Sequence, residues 1–233
     1  MQCRALCFAV LLAVVVQARA DVNSIERALE ARYQHARTLK AVFYERYSDG
    51  SGGISAESGT VYFSRPGRMR WEYESPSQKL FLVDGTSVWM YVPEDRTASH
   101  AKLKESDDWR TPLALLAGKA DLSKLCRSVT LAAPAEISGA EKPQPGTASA
   151  GTVLCCIPRD DAAASGSPKD VLLELDSESH LTRVVIHQPG NAETEFRFGN
   201  WQENVAVPES KFHFQPPPGV SIVDEDSLTN QLR

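Results

Sequence analysis

The chain has 233 residues, 25 of them basic and 30 acidic, for a net charge of −5. That acidic balance argues against a nucleic-acid binder, which needs a basic surface to neutralise phosphates. The length suffices for one all-β domain or two small ones.

Residues 1–20 read as a secretory leader. Arg4 supplies a basic start, Ala5–Val16 is an apolar run, and Ala18-Arg19-Ala20 is a small-x-small cleavage site. The run has about 12 residues, short of the roughly 20 a membrane span needs; the competing reading is an internal helix. Cleavage leaves Asp21 first, and no cysteine stands there to take a lipid anchor. Loss of Arg4 and Arg19 takes the 25 basic residues to 23 against 30 acidic, about −7. No second apolar run approaches membrane-spanning length, so a long lipid chain has to be met by a sheltered pocket.

Asp21–Arg37 has the period of an amphipathic helix, with Val22, Ile25, Leu29, Tyr33 and Ala36 on one face. Packing of that stripe on a sheet is preferred to a partner-binding helix. Leu39–Ser48 and Ser55–Ser64 read as strands around the turn Asp49-Gly50-Ser51-Gly52-Gly53, which lacks the Gly-Lys-Ser/Thr ending of a phosphate loop. Gly59–Pro93 is the densest stretch: four β-type runs separated by Arg65-Pro66-Gly67, Ser75-Pro76-Ser77 and Asp84-Gly85. Such a meander makes a curved antiparallel sheet with unusually many large apolar side chains. Thr97–Lys102 is one more strand.

The pattern then changes. Thr111 suits an N-cap, Pro112 a first helical position and Gly118 a stop, and Asp121–Leu125 starts a second short helix. Two small apolar helices therefore interrupt a β protein, either as a plug or as a movable lid; local sequence alone favours the plug. Residues 134–151 and 160–168 read as loops. Strands follow at Thr152–Ile157, Val171–Leu175, Leu181–Gln188 and Glu193–Trp201, with a last extended piece from Phe212 and a stiff turn at Pro216-Pro217-Pro218-Gly219. Asp224–Asp226 reads as a solvated tail. About eleven regularly spaced strands predict an antiparallel barrel or strongly curved sheet, in one domain over 21–233.

No catalytic constellation is marked. The five histidines are scattered, no Cys-x-x-Cys or His-Glu-x-x-His is present, and Gly85-Thr86-Ser87-Val88-Trp89 lacks the second glycine of a nucleophile elbow. The expectation is no catalysis, no metal and no cofactor. Of the cysteines beyond the leader, Cys126 can meet only one of Cys155 and Cys156, whose side chains point to opposite faces. A bridge and buried thiols both stay open.

Several motifs in order resemble the LolA family of periplasmic outer-membrane lipoprotein carriers. They are Phe43-Tyr44-Glu45, Gly59-x-Val61-x-Phe63-x-Arg65-Pro66-Gly67-Arg68-Met69-Arg70-Trp71, Pro76-x-Gln78-x-Leu80, Val83-Asp84-Gly85-x-x-x-Trp89-x-Tyr91-x-Pro93 and Phe212-x-Phe214-x-Pro216-Pro217-x-Gly219-Val220. The resemblance implies an unclosed antiparallel β-barrel with an N-terminal helix, a helical lid and an apolar cavity. It implies acylated lipoproteins as cargo, an inner-membrane ABC transporter as source and an outer-membrane receptor as destination. The chain would act as a monomer in the periplasm. Arg65 matches the family's lid-holding arginine, and Thr111–Leu125 matches its lid, which turns the preference from plug to lid. Glu94-Asp95-Arg96-Thr97 departs from the family's frequent glutamine after Trp-x-Tyr-x-Pro. The candidate cavity and lid set is Phe43, Phe63, Met69, Trp71, Leu80, Leu82, Trp89, Pro112, Leu113 and Leu116, although both faces of these strands carry apolar residues. Two other functions share this reading: a lipid or lipoprotein sensor, and a lipid hydrolase.

Overall fold

The computed structural model describes residues 21–103, 121–133, 151–159 and 168–224. Residues 21–35 form helix α1. Six strands follow: β1 (Thr38–Ser48), β2 (Ile54–Ser64), β3 (Arg68–Ser75), β4 (Lys79–Val83), β5 (Ser87–Val92) and β6 (Thr97–Lys102). One turn of helix, α2 (Leu122–Leu125), precedes β7 (Cys126–Ala132), β8 (Thr152–Pro158), β9 (Asp170–Leu175), β10 (Leu181–His187), β11 (Glu193–Glu203) and β12 (Ser221–Asp224).

The twelve strands of the described residues join one sheet in the order β12-β6-β5-β4-β3-β2-β1-β11-β10-β9-β8-β7, with β12 and β7 as its edges among those residues. The sheet is unclosed and antiparallel, as expected, except that β12 runs parallel to β6. Two departures from the sequence reading adjust the strand count. Cys126–Ala132 is a strand whose outward residues are mostly exposed, so its alternation is faint. The piece at Phe212 is a 3-10 turn (Glu209–Phe212), and the last strand of the described residues comes later, at Ser221.

The strands curl because one face is apolar nearly everywhere. A single buried cluster takes side chains from every strand except β6 and β12, together with Leu29, Tyr33 and Ala36 after the α1 stripe and Leu122 of α2. Side chains alternate along a strand, so this set defines an inner face. Tyr33 fixes α1 on it: its hydroxyl accepts the Leu181 N–H at 2.8 Å and its ring meets Trp201 edge-on. Burial pushes the Tyr33 phenol well above its usual range. Helix α2 is tied to α1, since Glu30 accepts the Leu122 N–H at 2.8 Å. Its C-cap, Cys126, opens β7 and is joined to Cys156 of β8 by a disulfide. Cys155, one residue along, is half-buried and lies with Val153, Leu172 and Val185 on the opposite face.

The outer face of β2–β5 is covered by the chain after β11. Phe212 is 1% exposed against Leu80 and Leu82, with Tyr62, Trp89, Tyr91, Val207 and Phe214 around them. The Arg68 guanidinium lies over the Phe212 ring at 5.1 Å. Phe212→Ala is expected to cost about 3–5 kcal/mol, the usual loss for a fully buried phenylalanine. Urea unfolding checks it: the midpoint should fall with little change in slope.

Glu72 buckles the same strap. It accepts from Lys211 Nζ at 2.7 Å and from Arg70 Nε at 2.6 Å, while Arg70 also donates to the Lys211 carbonyl at 2.9 Å. Burial opposes ionisation of Glu72, but the bonds from Lys211 and Arg70 outweigh it and hold the carboxyl below its ordinary 4.5. A depressed carboxylate stabilises the fold fully above its unfolded value and loses that contribution as pH falls through its folded value. The stability gap between wild type and Glu72→Gln should therefore be largest near neutrality and close below about pH 4.5. Urea titrations at pH 7 and pH 3 measure it.

Candidate functional site

The inner face is built around an aromatic cluster. Phe43 of β1 meets Trp71 of β3 at 4.7 Å between ring centroids and Tyr73 at 5.0 Å, both edge-on. Phe63 meets Trp71 at 6.1 Å, and Phe196 and Phe198 of β11 lie 5.4 and 6.1 Å from it. Pairing across the sheet makes this inevitable: Phe43 stands opposite Phe198, Val61 opposite Trp71 and Phe63 opposite Met69. Phe43, Phe63, Met69 and Trp71 are 1–3% exposed.

The structure brings these four candidates together and separates three others from them. Leu80, Leu82 and Trp89 belong to the cluster on the outer face, under the strap at Phe212 and Phe214. The inner residues of β4 are their neighbours Phe81 and Val83. Pro112, Leu113 and Leu116 lie outside the described residues. Sequence reasoning passed over Phe196 and Phe198; their alternation in Glu193–Phe198 was the available signal.

The two ends of the inner face differ. At the β3–β4 turn end a polar rim closes it. Tyr73 donates to Glu45 at 2.8 Å, and Lys79 pairs with Glu57 at 2.5 Å and sits 4.5 Å from the Tyr73 ring centroid. At the α1 end lies Arg65, just after β2 and on the parity of Val61 and Phe63. Its backbone N–H donates to the Arg37 carbonyl at 3.0 Å. Its side-chain Nε is buried without a partner among the described residues. Withdrawal from water pushes the guanidinium down from its ordinary value. No latch contact from Arg65 to a helix is present among the described residues, and Thr111–Gly118, where such a partner was expected, lies outside them.

Among the described residues no group of three or more His, Cys, Asp or Glu side chains is placed to hold a metal. No described helix is long and apolar enough to cross a membrane. The geometry defines a class: an unclosed, curled β sheet with an apolar inner face, capped by helices and rimmed by charge.

Residues 34–137 match the family model for outer membrane lipoprotein carrier protein LolA. An outer-membrane lipoprotein carrier protein of Nitrosospira multiformis is 28% identical over 199 residues, which cover 85% of this chain and 87% of that protein. One from Dechloromonas aromatica is 29% identical over 193 residues, covering 82% and 84%. An uncharacterized conserved protein from Thermus thermophilus has a solved structure that superposes with a TM-score of 0.51 at 10% identity. It covers 88% of this chain and 99% of its own, and it speaks for the fold alone. Over these residues the chain is similar to outer-membrane lipoprotein carriers of the LolA family.

Proposed function

We propose that this chain is a periplasmic chaperone that carries acylated lipoproteins from an inner-membrane ABC transporter to an outer-membrane receptor. The leader at 1–20 would send it across the inner membrane, and 21–233 would act as one carrier domain without catalysis. The observation that carries the reading is the continuous apolar inner face around Phe43, Phe63, Met69 and Trp71, in a chain similar to this family over residues 34–137.

The energetics suit a carrier. Burying one methylene is worth about 0.8 kcal/mol, so one long acyl chain gains on the order of 10 kcal/mol on leaving water. The inner face supplies that attraction, and Met69 adapts to chains of different length. Release needs an opposing term, and Arg65 supplies it. On this reading its guanidinium would donate to the lid segment expected from Thr111 to Gly118 in the empty protein, and cargo would open the lid and break those bonds.

Mass spectrometry of material co-purified from the periplasm tests the proposal. Intact triacylated lipoproteins are expected, and depletion of the protein should leave lipoproteins at the inner membrane. Cleaved lipid in their place would make it a hydrolase.

A further inference from the structure

Buried N–H groups in native proteins nearly always have an acceptor, so an exception asks for a reason. Trp71 is 2% exposed, and its indole Nε1 has no hydrogen-bond partner among the described residues. The other polar aromatics on this face are satisfied. Trp201 donates to the Leu181 carbonyl at 2.8 Å, Tyr73 to Glu45 at 2.8 Å, and the Tyr33 hydroxyl accepts from the Leu181 N–H at 2.8 Å. The rings of Phe43, Phe63, Phe196 and Phe198 pack around Trp71, and they carry no lone pair.

We propose that the Trp71 N–H is the donor for an acyl carbonyl, the ester or amide C=O at the head of a fatty chain. The inner face would then select acylated ligands over hydrocarbon as such. This rests on the carrier reading above and specifies its ligand. Trp71 and Tyr73 share a face two residues apart on β3, roughly 7 Å. The donor therefore lies one layer inside the charged rim of Glu45, Tyr73 and Lys79. An acylated head fits that spacing: its polar part at the rim, its carbonyl at Trp71, and its chain beyond along Phe63 and Met69.

Three lipopeptide probes test the assignment on the purified chain: an S-diacylglyceryl cysteine peptide with ester links, its dialkyl ether counterpart, and an N-acyl peptide whose only lipid carbonyl is an amide. Wild type is expected to bind the ester about tenfold tighter than the ether, the scale of one buried hydrogen bond. The Trp71 indole resonance, identified by its loss in Trp71→Phe, should move downfield with the ester and stay put with the ether. A shift with the N-acyl probe would place the amide carbonyl at the same donor. In Trp71→Phe the ester-to-ether ratio should fall to about one, on the same reasoning. Equal affinity of wild type for ester and ether, with no indole shift from any acyl probe, overturns the assignment and leaves the carrier reading standing. Failure of wild type to bind any of the three overturns both. Because the ester-to-ether ratio is read on wild type alone, a ratio of one overturns the assignment even where the Trp71→Phe variant misfolds.

Discussion

Arg65→Leu is expected to hold acylated cargo more tightly and to hand it over poorly. The physical reason begins with what the wild-type side chain lacks. A guanidinium carries five donors and a fixed charge, yet the Arg65 Nε is buried with no acceptor among the described residues, beside an apolar surface. Under the carrier proposal those donors bond to the lid when the protein is empty and lose their partners when cargo enters. Hydrogen bonds to a charged donor are worth about 1.5–3 kcal/mol each, so the loaded state is penalised by roughly 2–5 kcal/mol. Leucine removes the penalty and extends the apolar face. Each 1.4 kcal/mol is tenfold in affinity, so transfer to an acceptor should slow by at least about thirtyfold. The measurement is a two-compartment assay: loaded carrier, immobilised receptor, and lipoprotein counted on each. Wild-type transfer by Arg65→Leu would remove Arg65 from the mechanism, while cargo binding would still speak for the inner face.

Local features were the legible ones. The α1 stripe is readable because Val22, Ile25, Leu29, Tyr33 and Ala36 repeat at helical spacing, and all five reach the inner cluster. The strands of the meander are readable from the turn residues between them. Their inner members Phe43, Phe63, Met69 and Trp71 alternate with polar or half-exposed neighbours such as Tyr44, Arg68 and Arg70. Legibility ends where burial depends on distant chain. In β4 both parities are apolar, because Phe81 and Val83 face the inner cluster while Leu80 and Leu82 are covered by Phe212, more than a hundred residues later. Nothing within Lys79–Val83 says which side is which. The pairing of β1 with β11 is equally non-local, and it sets Phe198 against Phe43. Strand β7 hides for the opposite reason: as an edge strand it shows solvent Arg127, Ser128 and Thr130, and its alternation fades.

The disulfide yields the other large effect. Cys126 follows α2 directly, and Cys156 lies in β8, 30 residues on. Closing a loop of that size restricts the unfolded chain by about 3.5 kcal/mol on the chain-entropy model. Domains are stable by only about 5–15 kcal/mol, so this is a large share. The double variant Cys126→Ser, Cys156→Ser should lose roughly that amount, which for a chain of this size lowers the melting temperature by about 10 °C. Reductant added to wild type should reproduce the loss and add nothing to the variant. The loss should also be local. Helix α2 is a single turn, too short to persist by its own propensity. It is held by the disulfide, by Glu30 on the Leu122 N–H, and by Arg159, which donates to the Ser123 carbonyl at 2.7 Å. Removing the covalent tie leaves two hydrogen-bonded contacts and the buried Leu122, so amide exchange at Leu122–Leu125 should quicken before the strands of the inner face are affected. An unchanged melting temperature in the double variant, or non-reducing peptide maps joining Cys126 to Cys155, would show that the tie is not made this way.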